Sequence, residues 1–99
     1  MSADQRCHVA WLRQALRDMR EIAAYIARDS PETARAVVAR IWQEGQGLCS
    51  LADRGRPGRV PRTRELVLEG FPYFLAYRVK GKAVQILRVI HTSRQWPLR

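Results

Sequence analysis

Four side chains in the second half of this sequence have the chemistry to move a proton or hold a phosphate: Glu65, Arg78, His91 and Arg94. An imidazole exchanges a proton near neutral pH, so His91 is the first candidate for general acid–base work. The competing reading is a strand-end histidine packed beside Trp96. Arg78 and Arg94 could clamp a phosphate and offset the negative charge that grows on it. The bland alternatives are a cross-strand pair with Glu65 for Arg78 and a solvated tail for Arg94. Glu65 could act as base if His91 is the acid, but a pairing role with nearby arginine is the preferred reading. Upstream, Arg54, Arg56, Arg59, Arg62 and Arg64 place five guanidiniums within eleven residues, interleaved with Gly and Pro. Such a stiff, exposed display suits a nucleic-acid backbone, which it would position without reading; a protein partner is the competing reading and a plain solvated loop the third.

These residues need a scaffold, and the spacing of apolar positions predicts one. Leu12, Ala15, Leu16, Met19, Ile22, Ala23 and Ile26 recur at three- and four-residue steps, the signature of an amphipathic helix. Its opposite face carries Arg13, Arg17, Arg20, Glu21 and Arg28. Asp29-Ser30-Pro31 ends that helix and starts another, with Ser30 as N-cap and Pro31 at the first helical position. Ala34, Val37, Val38, Ile41, Gly45, Leu48 and Ala52 continue the pattern, so a helical hairpin is expected. Residues 7–11 could form a short opening strand. Residues 53–62 read as a loop, because Gly and Pro cannot fill a central strand.

Three strands follow, over 64–69, 73–79 and 83–91, with turns at Gly70-Phe71 and Lys80-Gly81-Lys82. If both turns are even, alternation sends Leu66, Leu68, Tyr73, Leu75, Tyr77, Val79, Val84, Ile86 and Ile90 to one face, with Arg64 and Arg88 as exceptions. That face must meet the helices. Glu65, Val67, Glu69, Phe74, Ala76, Arg78, Gln85, Leu87, Val89 and His91 share the other face, which is left to solvent or a ligand. Tyr73, Tyr77 and Trp42 belong to the core or its edge, while Phe74 could stack on a base. His8 carries no signal.

Composition limits the possibilities. At 99 residues with 46% hydrophobic content the chain is one domain, 1–99, able to bury a core. Its net charge is +9, and 16 of its 18 basic residues are arginine, whose planar fork suits phosphate and carboxylate. The first fifty residues balance at +1 and the remainder at +8, so an anionic partner is expected on the second half. Cys7 and Cys49 lack metal-ligand spacing and read as two reduced thiols of a cytoplasmic protein. No run reaches the ~18 apolar residues of a membrane span. No Gly-rich phosphate cradle, metal cluster or covalent-nucleophile constellation suggests a different enzyme, and no cofactor is expected.

The order of elements and several local runs resemble the RelE/ParE superfamily of toxins from type II toxin–antitoxin systems. Asp18-Met-Arg-Glu-Ile-Ala-Ala-Tyr-Ile-Ala is similar to its first-helix signature. Gly55-Arg-Pro-Gly-Arg-Val-Pro, Thr63-Arg64-Glu65-Leu66, Pro72-Tyr73, Tyr77-Arg78-Val79, Ile86-Leu-Arg-Val-Ile-His91 and Arg94-Gln-Trp96-Pro97 resemble one branch of it. The resemblance implies an α+β fold: a short N-terminal strand and a two-helix hairpin packed on one face of a small antiparallel sheet. It also implies a cognate antitoxin as partner in a hetero-oligomer, and one of two targets. RelE-like members cut messenger RNA in the ribosome, and ParE-like members poison DNA gyrase. His91 sits close to a catalytic His of some nuclease members and Arg94 close to a functional tail Arg. Phe74 and Glu65 stand where the nuclease pattern has basic residues. Ribosome-dependent mRNA cleavage by His91, Arg78 and Arg94 leads these expectations, with RNA attacked through its ribose hydroxyl. A gyrase poison without chemistry of its own is the alternative, and a non-toxic co-repressor the third.

Overall fold

The computed structural model describes residues 7–94 together with Trp96 and Pro97. The chain opens with strand β1 (His8–Trp11), then helices α1 (Arg13–Ala27) and α2 (Pro31–Gly47). An edge strand β2 (Arg56–Pro57) precedes the meander β3 (Arg64–Val67), β4 (Tyr73–Lys80) and β5 (Ala83–His91). The strands form one sheet in the order β1-β5-β4-β3-β2. β1 runs parallel to β5 and every other pair is antiparallel, so the expected antiparallel meander sits within a mixed five-stranded sheet.

The helical hairpin forms for the anticipated reasons. Ser30 is extended, its hydroxyl accepts the Thr33 N–H at 3.2 Å, and Pro31 opens α2 where its missing N–H costs nothing. Ala34, Val37, Ile41 and Gly45 recur along the buried face of α2. At Gly45 a side chain is excluded by the Trp11 indole, which occupies the space a Cβ would need. Trp11 in turn stacks on Trp42, ring centroids 4.9 Å apart. That contact leaves Trp42 46% exposed, at the edge of the fold and outside the core.

Residues 56–57 pair with β3, although Gly and Pro argue for a plain loop there. The sheet's outer edge tolerates Pro57, because no further strand requires its missing N–H. A second difference is covalent. Cys7 and Cys49, read above as free thiols, are joined by a disulfide, with Cα atoms 5.6 Å apart. The fold brings the start of β1 beside the exit of α2, a proximity that their separation of 42 residues conceals.

The register holds the main departure from expectation. Both hairpins are even: Val67 faces Phe74, and Lys80 faces Ala83. Between β4 and β5, however, Tyr77 faces Ile86 while Ala76 faces Arg88, so the ladder skips Leu87. This bulge reverses the alternation of everything after it on β5. Val89 therefore joins Leu66, Tyr73, Leu75, Tyr77 and Ile86 in the core against Ala15, Met19, Val37 and Ile41. Ile90, expected in that core, lies instead with Phe74 and Ala76 on the outer face, under Trp96. Val79, also expected in the core, is exposed near the end of β4.

Candidate functional site

The sheet's outer face is built around one buried carboxylate. Glu65 is 2% exposed. Its oxygens accept the Arg59 backbone N–H at 3.1 Å, the Arg59 guanidinium at 3.2 and 3.3 Å, and Arg56 at 3.3 Å. Burial works to raise the pKa of Glu65, but the Arg59 N–H, the Arg59 guanidinium and Arg56 together outweigh it and hold the carboxyl below the ordinary glutamate range. The Arg59 guanidinium also lies 5.5 Å over the Phe74 ring. Phe74, considered above as a stacking platform, is 1% exposed beneath Arg59 and Trp96 and presents no face to a base.

The rest of the arginine-rich segment is similarly engaged. Arg54 pairs with Glu44 at 2.8 Å, where Arg40 also binds. Burial opposes ionisation of Glu44, and the two guanidiniums override it and lower its pKa. Arg64 donates to the Gly55 carbonyl at 2.7 Å and to the Asp53 carbonyl at 3.3 Å. Tyr77 completes the bracing: its hydroxyl donates to the Ala52 carbonyl and accepts the Gly55 N–H. Burial raises the pKa of that phenol. Of the five clustered arginines, Arg62 alone has no side-chain partner among the described residues. The segment is a structural clasp on β3 and β4, and four of its guanidiniums are committed within the chain.

Arg78 lies on the same outer face, near the far end of β4, where it donates to Gln85 at 2.6 Å rather than to Glu65. His91 lies on the other side. The bulge places it opposite Tyr73 on the helix face, where the rings meet edge to face at 5.3 Å. Its Nδ1 accepts the Ser93 N–H at 3.1 Å and lies 2.8 Å from the Ser93 hydroxyl, and Nε2 has no hydrogen-bond partner among the described residues. Arg94 shares with His91 a cleft of about 520 Å³ that α1 closes with Glu21 and Tyr25. The four candidates thus divide: His91 and Arg94 in the helix-side cleft, Glu65 and Arg78 on the outer face.

At the base of the cleft is a constellation that sequence reasoning left out. Asp18 of α1 is buried and receives Arg88 in a forked pair, at 2.7 and 3.1 Å. It also accepts the Val89 N–H at 2.9 Å and Gln14 at 3.1 Å. β1 pairs with β5 only as far as Ile86, so the backbone beyond needs another partner. Asp18 supplies it. Arg88 was expected as a charge on the helix face; the bulge sets it opposite Ala76 and beside Trp96 instead, and nothing local named its partner 70 residues away. Among the described residues no three His, Cys, Asp or Glu gather to hold a metal ion, and no helix is long and apolar enough to cross a membrane.

A short N-terminal strand, a helical hairpin and a mixed five-stranded sheet make up the α+β fold of the RelE/ParE class. A model of the family described as "ParE toxin of type II toxin-antitoxin system, parDE" matches residues 9–96. The Y4kP protein of Sinorhizobium fredii (strain NBRC 101917 / NGR234) is 46% identical over 92 residues, covering 93% of this chain and 95% of that protein. A chain from the solved structure of the chromosomal ParDE TA system from P. aeruginosa superposes with a TM-score of 0.80 at 36% identity, over 88% of this chain and 97% of that one. This chain belongs to the ParE toxin family of type II toxin–antitoxin systems.

Proposed function

We propose that this ParE-family chain arrests growth by binding DNA gyrase, without bond-breaking chemistry of its own, and that a cognate antitoxin neutralises it. One observation carries the choice of target. Arg78 and His91 occupy opposite faces of the β4–β5 pair, and the Glu65 carboxylate is enclosed by Arg56 and Arg59. Cleavage through a ribose hydroxyl needs a base, an acid and a phosphate clamp converging on one atom. These three groups do not converge. The ParDE likeness supports the antitoxin partner, and the net charge of +9 suits an acidic one.

The test is induction from a tight promoter, with DNA breaks, the SOS response and transcript ends followed in the same culture. The expected result is DNA damage without new transcript ends inside codons, and a His91→Ala variant that still arrests growth. A second reading, ribosome-dependent mRNA cleavage, is favoured by the cleft that His91 shares with Arg94. In-frame transcript cuts that vanish in His91→Ala, with no DNA breaks, would overturn the gyrase reading in its favour. Growth unaffected by high expression, with tight antitoxin binding, would favour a co-repressor instead.

A further inference from the structure

The arginine-rich segment that composition marks as the polyanion contact is largely occupied within the chain, so the uncommitted positive charge lies elsewhere. Among the described residues its most closely spaced run is on α1. Arg13, Arg17 and Arg20 are exposed, and none of them has an ion-pair or hydrogen-bond partner among the described residues. Their spacing of four and three residues confines them to an arc of about 60° on a regular helix and spreads them over about 10 Å of its length. The arc faces away from the core residues Ala15 and Met19, which pack against the sheet. Glu21 is the nearest acid on this side of α1. It stands at the rim of the helix-side cleft, and no ion pair joins it to Arg17 although the two are four residues apart.

We infer that this column is a contact for the phosphate backbone of duplex DNA. Unpaired guanidiniums on a rigid rod give up no internal bond when they meet phosphate, whereas Arg56 and Arg59 would have to abandon a buried carboxylate. Three such contacts hold the protein on DNA without reading its sequence. The stripe grips backbone while the rest of the surface remains available to a protein partner. Choosing DNA as the polyanion rests on the gyrase reading above. The experiment omits gyrase, so its failure leaves that reading standing.

Binding of the full chain to a fluorescent mixed-sequence duplex is measured by anisotropy across a salt series. Each neutralised phosphate contributes about −0.9 to the slope of log K against log salt, so R13Q/R17Q/R20Q should lower the magnitude of that slope by about 2.7. Between about 50 and about 200 mM salt the unmodified chain should therefore lose about 40-fold more affinity than the variant. Glutamine keeps good helix propensity, and helicity is checked by circular dichroism. Each single variant should account for about one third of the change. R35Q/K80Q removes charge from exposed positions outside the stripe and should keep the slope. An equal slope change per charge removed in both multiple variants would reduce the effect to net charge and overturn the inference. So would polyglutamate competing as well as DNA, or a stripe-dependent slope seen with RNA and not with DNA.

Discussion

Replacing Asp18 by alanine should be among the most damaging single substitutions, and the structure indicates its size. The carboxylate is buried and accepts two bonds from Arg88, one from the Val89 N–H and one from Gln14. Removing it strands a guanidinium that keeps 20% side-chain exposure and a backbone donor on the part of β5 that β1 leaves unpaired. Breaking a buried pair by deleting one partner costs about 3–5 kcal/mol. Water can still reach part of Arg88, which places Asp18→Ala near the lower end, about 3 kcal/mol. A chain of this size has only about 5–15 kcal/mol to lose, and the melting temperature should fall by about 12–24 °C. With a urea m-value of about 2 kcal/mol/M, the midpoint should drop by about 1.5 M. The assay is urea unfolding followed by tryptophan fluorescence for Asp18→Ala, Arg88→Met and the double variant. The two residues touch, so the cycle should return a coupling within the range of about 0.5–3 kcal/mol found for contacting pairs, toward its upper part. A loss under about 1 kcal/mol for Asp18→Ala, or strict additivity, would refute the claim that this carboxylate fastens α1 to β5.

Four further outcomes follow from the surroundings of named residues. Glu65 has a lowered pKa in the fold, so its contribution to stability is complete above the pKa of an unfolded glutamate and is lost as pH falls through the lower folded value. Unfolding free energy measured from neutral to acid pH should show that loss, and Glu65→Gln should remove this part of the slope; an unchanged profile in the variant would count against the clasp. Gly45→Ala should destabilise by about 1–3 kcal/mol because Trp11 must move, with a change in tryptophan emission. Gly47→Ala, which meets open space at the end of α2, should be neutral or stabilising by up to about 1 kcal/mol in the same unfolding assay. Reduction of the Cys7–Cys49 bond, or Cys49→Ser, frees a loop with a sequence separation of 42. By the chain-entropy relation that should cost about 4 kcal/mol, read as a fall in urea midpoint under reductant that the serine variant no longer shows.

Much of the scaffold was written locally. The α1 and α2 periodicities, the Ser30-Pro31 cap, the even hairpins and the alternation along β3 and β4 each depend on neighbours a few residues apart, and the structure follows them. The sequence by itself also determined that arginine would dominate the positive charge and that Arg64 and Arg88 were charges needing an explanation. Only the tertiary structure decided the partners, because Asp18 meets Arg88 across 70 residues and Cys7 meets Cys49 across 42. It decided the site for the same reason. A single skipped residue, Leu87, leaves no mark in composition, yet strand alternation has a period of two, so that one residue carries His91 to the opposite side from Arg78. Likewise, a count of arginines cannot separate those bound to internal carboxylates from those left free. That division depends on which acids the fold buries beside them, and burying Glu65 enlists Arg56 and Arg59 while α1 keeps its arginines exposed.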